Sequence, residues 1–217
     1  MPGLQLVIGN KNYSSWSLRP WLLLRQMGLE FEEILVPLFR EDSRAKILEH
    51  SPAGKVPILK EEGRAIWDSL AIAEYLAEKF PRMNLWPEDP GARALARSVS
   101  AEMHSGFGSL RSQCPMNVRR KPTPLDLSVE TKADVARIQE IWRLCRAAYG
   151  KLGPFLFGHF SIADAMYAPV VFRFSGYAIE MEKSSRDYSE TILALAPIQE
   201  WIQAALAETW VISGNER

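Results

Sequence analysis

Leu4-Gln5-Leu6-Val7-Ile8-Gly9-Asn10-Lys11-Asn12-Tyr13-Ser14-Ser15-Trp16-Ser17-Leu18-Arg19-Pro20-Trp21 is the stretch on which the reading of the fold turns. Its apolar opening, Leu4 to Ile8, closed by Gly9, reads as a buried strand. The polar segment Asn10 to Ser15 leads into Leu18 to Met27, a helix pattern ended by Gly28, a residue suited to a helix C-terminus. Pro20 lacks an amide hydrogen and belongs in the first turn of that helix, where N–H groups have no intrahelical acceptor. The helix start is therefore expected within Ser14 to Ser17.

Outward from this stretch, Phe31 to Val36 reads as a second strand and Asp42 to Glu49 as a short helix. Pro57 to Leu59 and Ala65 to Trp67 flank the turn Glu61-Glu62-Gly63-Arg64, a hairpin signal. Ser69 to Phe80 is helical, with Leu70, Ala73, Leu76, Ala77 and Phe80 on one apolar face. The order βαβαββα predicts a small mixed sheet with helices against it, an α/β domain over residues 1–81. Residues 82–91 read as a linker, since Pro81 to Gly91 carries three prolines and a glycine.

Residues 92–217 read as an all-helical domain. Ala92 to about Arg111 is expected as one helix, Pro115 to Pro124 as an irregular, basic loop, and Val129 to about Leu152 as a long helix before the breaker Gly153-Pro154. Ser161 to about Phe174 is so apolar that it should be a central helix buried all round, with Pro169 kinking or ending it. Ile192 to Trp210 supplies one or two further helices.

Composition removes several classes of function. The 217 residues are 47% hydrophobic, enough apolar material to offset the entropy of ordering. Twenty-six Lys+Arg balance twenty-six Asp+Glu, which argues against a nucleic-acid or anionic-membrane binder. The two cysteines, Cys114 and Cys145, are too few for a disulfide scaffold and are expected as thiols of a cytoplasmic protein. The start has no basic n-region, and the apolar stretch Ile162 to Phe172 is interrupted by Asp164, so neither a targeting nor a spanning segment is expected. His50, His104 and His159 share no ligand-like spacing with the cysteines, so no metal site is expected.

Three motifs carry chemistry. Ser14, Ser15 and Ser17 lie between the first strand and the first helix, where unpaired N–H groups and the helix dipole favour an anion. A helix cap needs one hydroxyl, and three lie within four residues. In Ser51-Pro52-Ala53-Gly54-Lys55-Val56-Pro57-Ile58-Leu59, Pro57 enters a strand. A cis Val56–Pro57 bond would present the backbone N–H and C=O of Val56 to an extended ligand. Trp67-Asp68-Ser69 sits at a strand-to-helix junction, either as a cap or as a site where Ser69 and the helix N-terminus hold a carboxylate while Asp68 faces an ammonium group.

Taken together, strand-Ser-helix, then Gly54-Lys55-Val56-Pro57, then Asp68-Ser69-Leu70-Ala71-Ile72-Ala73-Glu74-Tyr75-Leu76 resembles the glutathione S-transferase superfamily, with its thioredoxin-like N-terminal domain and all-α C-terminal domain. Ser161-Ile162-Ala163-Asp164 is a capping box like the one that superfamily carries on a buried helix, and its role there is folding. Ser14-Ser15-Trp16-Ser17-Leu18-Arg19 looks most like the zeta class, which includes maleylacetoacetate isomerase, and Glu102 to Phe107 with Cys114 to Asn117 looks like a bacterial zeta-like branch. The chain departs from the zeta pattern in Trp16, where zeta has cysteine, and in having no glutamine within Phe39 to Ser43.

The resemblance implies glutathione as co-substrate, activated as a thiolate by Ser14 or Ser15, for transfer to or isomerisation of a small electrophile. Ser14 lies five residues before Arg19, the superfamily's usual spacing, and is the first choice, with Ser15 second. Val56, with Pro57, would pair with the cysteinyl backbone, Ser69 with the γ-glutamyl carboxylate and Asp68 with its ammonium. Lys55, or more weakly Arg44 or His50, would meet the glycyl carboxylate, and Arg19 is expected to be structural. The electrophile pocket is expected at the first helix of the second domain, with Trp16, His104, Phe107 and Arg111; the seven-residue spacing puts His104 and Arg111 on one helical face. The simpler reading, placed ahead of that one, makes this face a domain or dimer interface, and the family implies a homodimer. A non-catalytic adaptor of the same fold is the alternative. A serine hydrolase would need a Gly-x-Ser-x-Gly elbow, which the sequence lacks.

Overall fold

The computed structural model describes residues 3–216. Strand β1 (Leu4–Ile8) lies inside a four-stranded mixed sheet of order β2-β1-β3-β4. It pairs in parallel with β2 (Phe31–Leu35), from Leu4 opposite Phe31 to Ile8 opposite Leu35, and antiparallel with β3 (Ile58–Glu61). Strand β4 (Arg64–Ile66) closes the hairpin through Glu62 and Gly63, both at positive φ (49° and 79°), as a two-residue turn of primed type requires. The turn is tighter than the sequence implied, because Glu61 and Arg64 are still paired.

Successive side chains of a strand point to opposite faces, and β1 shows the consequence. Leu6 and Ile8 enter the main core, while Val7 joins a second cluster with Val36, Ile47 and Ile58. Helices α1 (Ser15–Gln26) and α3 (Ser69–Lys79) contribute to the main core, and α2 (Ser43–Leu48) supplies Ile47 to the smaller one. The order is thus βαβαββα, as expected. Helix α1 begins inside the expected window, but Pro20 is its sixth residue and not in the first turn. The Trp16 carbonyl therefore has no i+4 amide to accept from.

The second half is helical. Helix α4 (Pro90–Ser105) starts inside the stretch read as linker, because Asp89 caps it through Ala92 N at 2.7 Å and Pro90 fits a first helical position. It does not continue to Arg111. Gly106 is extended, Phe107 sits in the left-handed region at φ 60°, and a separate helix α5 (Gly108–Gln113) follows. A Cβ on Gly106 would stand 2.8 Å from the Glu102 carbonyl oxygen, so the break needs glycine. Helix α6 (Val129–Tyr149) is capped by Ser128, and α7 (Ile162–Gly176) is the buried central helix. Pro169 neither ends α7 nor prevents it from reaching Gly176. Helices α8 (Lys183–Leu193) and α9 (Ala196–Ala207) follow; α8 begins well before Ile192, in a polar segment whose buried face is Ser185, Tyr188, Ser189 and Ile192.

Both halves share one core, in which Leu6, Ile8 and Leu22 belong to the same cluster as Ile138, Trp142 and Val171. The rings of Tyr167, Phe174 and Tyr188 surround Trp142 at centroid distances of 6.0, 5.4 and 4.8 Å. The capping box holds α7 in register. Asp164 accepts from Leu156 N (3.0 Å), Ser161 N (2.8 Å) and Ser161 Oγ (2.9 Å). Among the described residues, no helix is long and apolar enough to cross a membrane.

Candidate active site

The turn between β1 and α1 uses its three serines differently. Ser14 is the N-cap: its Oγ accepts from Ser17 N at 3.3 Å and lies 2.7 Å from Ser17 Oγ. Ser17 Oγ in turn accepts from Gly9 N at 3.0 Å, tying the helix to the end of the strand. Ser15 caps nothing; its Oγ accepts from Arg173 Nη2 at 3.2 Å, across from α7. Ser14 and Ser15 both border a cleft lobe of about 690 Å³.

Trp16 stands between that lobe and a second one of about 420 Å³, and Lys55 and Val56 also border both. The Arg19 and Arg111 guanidiniums lie 4.2 and 4.7 Å from the centre of the Trp16 ring, and the His104 ring meets it edge-on at 5.3 Å. Pro57, Asp68, Ser69 and His104 wall the smaller lobe. The Val56–Pro57 and Trp67–Asp68 peptide bonds are both cis. Of the Asp68-Ser69 pair, Asp68 is the cap: its Oδ1 accepts from Leu70 N at 2.8 Å. Its Oδ2 accepts from His104 Nε2 at 2.6 Å, so both of its oxygens are engaged. Ser69 is the first helical residue, and its buried Oγ has no hydrogen-bond partner among the described residues.

Charge distinguishes the lobes. The larger is bordered by Arg40, Arg44, Lys55, Arg111 and Arg173, and no carboxylate borders it among the described residues. Burial, and then the nearby Arg111, push the Arg173 guanidinium down to about 10. Burial also lowers Arg111, and it lowers Arg19 strongly, with Arg111 and Arg173 adding to the effect. Arg19 donates its Nε to the Met166 carbonyl at 3.2 Å, the structural setting the sequence implied. Leu38, Phe39 and Met116 give this lobe an apolar side, and Phe39 is 80% exposed at its lip. A site of this kind suits an anion with an apolar portion.

Most of the expected residues converge here. Ser14, Ser15 and Arg111 border the larger lobe, Pro57, Asp68, Ser69 and His104 the smaller, and Trp16, Lys55 and Val56 both. Phe107 does not join them: the break between α4 and α5 turns it into the core, 7% exposed and away from both lobes. For the same reason His104 and Arg111 do not share a continuous helical face. They meet at Trp16 because Arg111 folds back over the break, donating Nη2 to the Met103 and His104 carbonyls, the latter at 3.2 Å. Arg44 borders the larger lobe, whereas His50 borders neither. Arg173 was not foreseen. Its signal was a lone cation in a strongly apolar helix, a position that cations seldom take without a partner.

The chain beyond α9 folds back beneath this turn. The Glu208 carboxylate accepts from Lys11 N (2.6 Å) and Asn12 N (3.0 Å), and Arg119 bonds the carbonyls of Glu208 (2.6 Å) and Trp210 (2.8 Å). Burial raises the Glu208 carboxyl against these donors.

The sequence and the fold match known proteins. Residues 13–79 match the glutathione S-transferase N-terminal domain, and residues 128–204 match the C-terminal domain of the same family. A probable maleylacetoacetate isomerase of Caenorhabditis elegans is 40% identical over 98 residues, 45% of each chain. Maleylacetoacetate isomerase of Pseudomonas aeruginosa is 33% identical over 115 residues, 51% of this chain and 53% of that one. The match thus spans about half the length of these relatives. A crystal structure of a glutathione transferase homolog from Burkholderia gl BGR1, with bound glutathione, superposes with a TM-score of 0.73 at 24% identity, over 94% of this chain and 99% of that one. At that identity the likeness concerns the fold, a thioredoxin-like domain joined to a helical one. The N-terminal and C-terminal domain matches, over residues 13–79 and 128–204, show that the chain belongs to the glutathione S-transferase family.

Proposed function

We propose that this protein is a glutathione transferase that binds glutathione across both lobes and delivers its thiolate to a small, anionic, partly apolar electrophile. The observation that carries the reading is the buried, unpartnered Ser69 Oγ at the N-terminus of α3, in a lobe that shares Trp16, Lys55 and Val56 with the lobe of the serine turn. A buried hydroxyl without a partner is destabilising unless a ligand completes it. Ser69 and the first turn of α3 suit the γ-glutamyl carboxylate. Asp68 suits the ammonium, which would share or displace His104. The Val56 backbone suits the cysteinyl unit, and Lys55 with Arg44 suits the glycyl carboxylate. In this pose the sulfur lies by Ser14 and Ser15, and Trp16 covers it.

The chemistry asked of the protein is modest. A thiol of pKa ~8.5 is only a few per cent ionised at neutral pH. Lowering it by ~2 units needs ~2.7 kcal/mol of differential stabilisation. A serine hydroxyl donor, a helix N-terminus and a lobe without carboxylates supply effects of that size. The thiol proton leaves to solvent through the open cleft, and the serine keeps its own proton as a hydrogen-bond donor. Arg111 and Arg40 then suit an anionic group on the electrophile, beside the apolar side of Leu38, Phe39 and Met116. Transfer and isomerisation both begin with this thiolate. We propose further that residues 1–81 form the glutathione-binding domain, that 92–217 form the electrophile-binding domain, and that the protein works as a cytoplasmic homodimer.

Calorimetric titration with glutathione, followed by a panel of electrophiles, tests the reading. Wild-type protein should bind glutathione, and Ser69→Ala should weaken it about tenfold, ~1.4 kcal/mol. Turnover should favour carboxylate-bearing electrophiles. Absence of binding by the wild type refutes the proposal, and tight binding without turnover on any electrophile favours an adaptor.

A further inference from the structure

Two serines face the proposed sulfur position, and the structure distinguishes them by what stands behind each. The Ser14 hydroxyl accepts from Ser17 N and is hydrogen-bonded to Ser17 Oγ at 2.7 Å, a pair in which either oxygen can donate, and Ser17 Oγ itself accepts from Gly9 N. Its partners all belong to the helix cap, and no cation touches it among the described residues. The Ser15 hydroxyl has a different neighbour, Arg173 Nη2 at 3.2 Å. A guanidinium can only donate, so the direction of this bond is fixed, and Ser15 keeps its own O–H to give elsewhere. Ser15 borders the larger lobe, 8% exposed, and Arg173 borders the same lobe.

Arg173 is itself unusual. It is 5% exposed on the central helix, and no carboxylate forms an ion pair with it among the described residues. Its Nη1 donates to the carbonyls of Cys114 (2.5 Å) and Arg111 (3.5 Å), the C-terminal end of α5, where a cation is favourable. That capping role uses Nη1. Nη2 reaches across to the N-terminal half and meets Ser15. A buried cation without an anionic partner is costly, and an anion arriving in the adjoining lobe would offset that cost.

We infer that Arg173 is a positioning residue for Ser15: it holds the hydroxyl as an acceptor, frees the Ser15 proton to donate to the glutathione sulfur, and makes Ser15, not Ser14, the donor to the thiolate. The inference rests on the glutathione-binding reading and adds to it a residue from the helical half of the chain. Donation from a cation polarises the Ser15 O–H and strengthens the bond it gives in turn. The S–H bond breaks heterolytically, its proton goes to bulk water, and neither Ser15 nor Arg173 changes protonation state.

The test follows thiolate absorbance of protein-bound glutathione against pH in the wild type, Ser14→Ala, Ser15→Ala, Arg173→Gln, Arg173→Lys and the Ser15→Ala/Arg173→Gln double variant. Binding is measured in parallel by calorimetry and folding by circular dichroism. Ser15→Ala should raise the bound thiol pKa by about one unit or more, at least a tenfold loss of thiolate below the pKa, and by more than Ser14→Ala does. Arg173→Gln should raise it as well, Arg173→Lys should recover part of the shift, and the double variant should fall short of the sum of the single ones. A merely structural Arg173 would alter folding or affinity and leave the bound thiol pKa where it was. That result in folded, glutathione-binding Arg173→Gln overturns the inference. So does a larger effect of Ser14→Ala than of Ser15→Ala, a comparison that leaves Arg173 in place. Failure of the wild type to bind glutathione overturns the functional reading and this inference with it, whereas an unshifted thiol in binding-competent Ser15→Ala or Arg173→Gln overturns the inference alone.

Discussion

Asp68 performs two tasks through two oxygens, and two substitutions separate them. Oδ1 caps α3 through Leu70 N at 2.8 Å, and Oδ2 accepts from His104 at 2.6 Å. Replacing a capping aspartate by alanine costs ~1 kcal/mol, whereas asparagine caps about as well. The contact with His104 is open to water, with the side chains 46% and 29% exposed, which limits it to roughly 0.2–1 kcal/mol. Asp68→Ala should therefore lower stability by about 1–2 kcal/mol, a Tm decrease of roughly 2–8 °C for a chain of this size. Asp68→Asn should lose less than about 1 kcal/mol, since the cap persists. Both variants lose the charge proposed to meet the glutathione ammonium, so both should bind glutathione about tenfold more weakly, ~1.4 kcal/mol. Urea unfolding at neutral pH, with an unchanged denaturant slope, measures the first quantity and calorimetry the second. The decisive pattern is a near-native asparagine variant that binds poorly. Equal destabilisation by the two substitutions would remove the capping argument, and undiminished binding by Asp68→Asn would remove Asp68 from the ligand site.

Three further outcomes are expected. Arg111→Ala should raise KM about tenfold for electrophiles carrying a carboxylate and leave neutral ones unaffected, ~1.4 kcal/mol by steady-state kinetics; equal effects on both would refute its role in anion recognition. Trp16→Ala removes the ring between Arg19 and Arg111 and joins the two lobes. It should destabilise by roughly 1–3 kcal/mol from lost cation–π contacts, while kcat/KM for bulky electrophiles rises relative to small ones; an unchanged size preference would show that Trp16 is no partition. Burial pushes the Asp164 carboxyl from 3.8 up to about 6, so the fold favours its protonated form. Its contribution to stability is then full below about pH 4 and lost as pH rises through about 6, by roughly 3 kcal/mol. Urea unfolding of wild type and Asp164→Asn across pH 4 to 7 should show this difference, and a constant gap between the two would contradict it.

Much of the framework was legible because its signals are local. The strand Leu4–Ile8, the serine turn, the cap at Asp68 and the Ser161–Asp164 box each act within about one helical turn, over distances that covalent spacing already sets. Their order along the chain carries the family resemblance, and the lobe residues Lys55, Val56, Pro57 and Ser69 followed from it. What the spacing could not convey depends on which surfaces meet when the core closes. Gly106 and Phe107 interrupt a helix that periodicity would continue, and that interruption turns Phe107 inward while Arg111 reaches Trp16. Arg173 meets Ser15 across 158 residues only because α7 packs against α1 in the shared core. Hydroxyls, caps and strand runs are written in neighbouring residues. The pairing of a particular hydroxyl with a particular buried cation is decided by tertiary packing, since only the closed core removes the water that would otherwise solvate both.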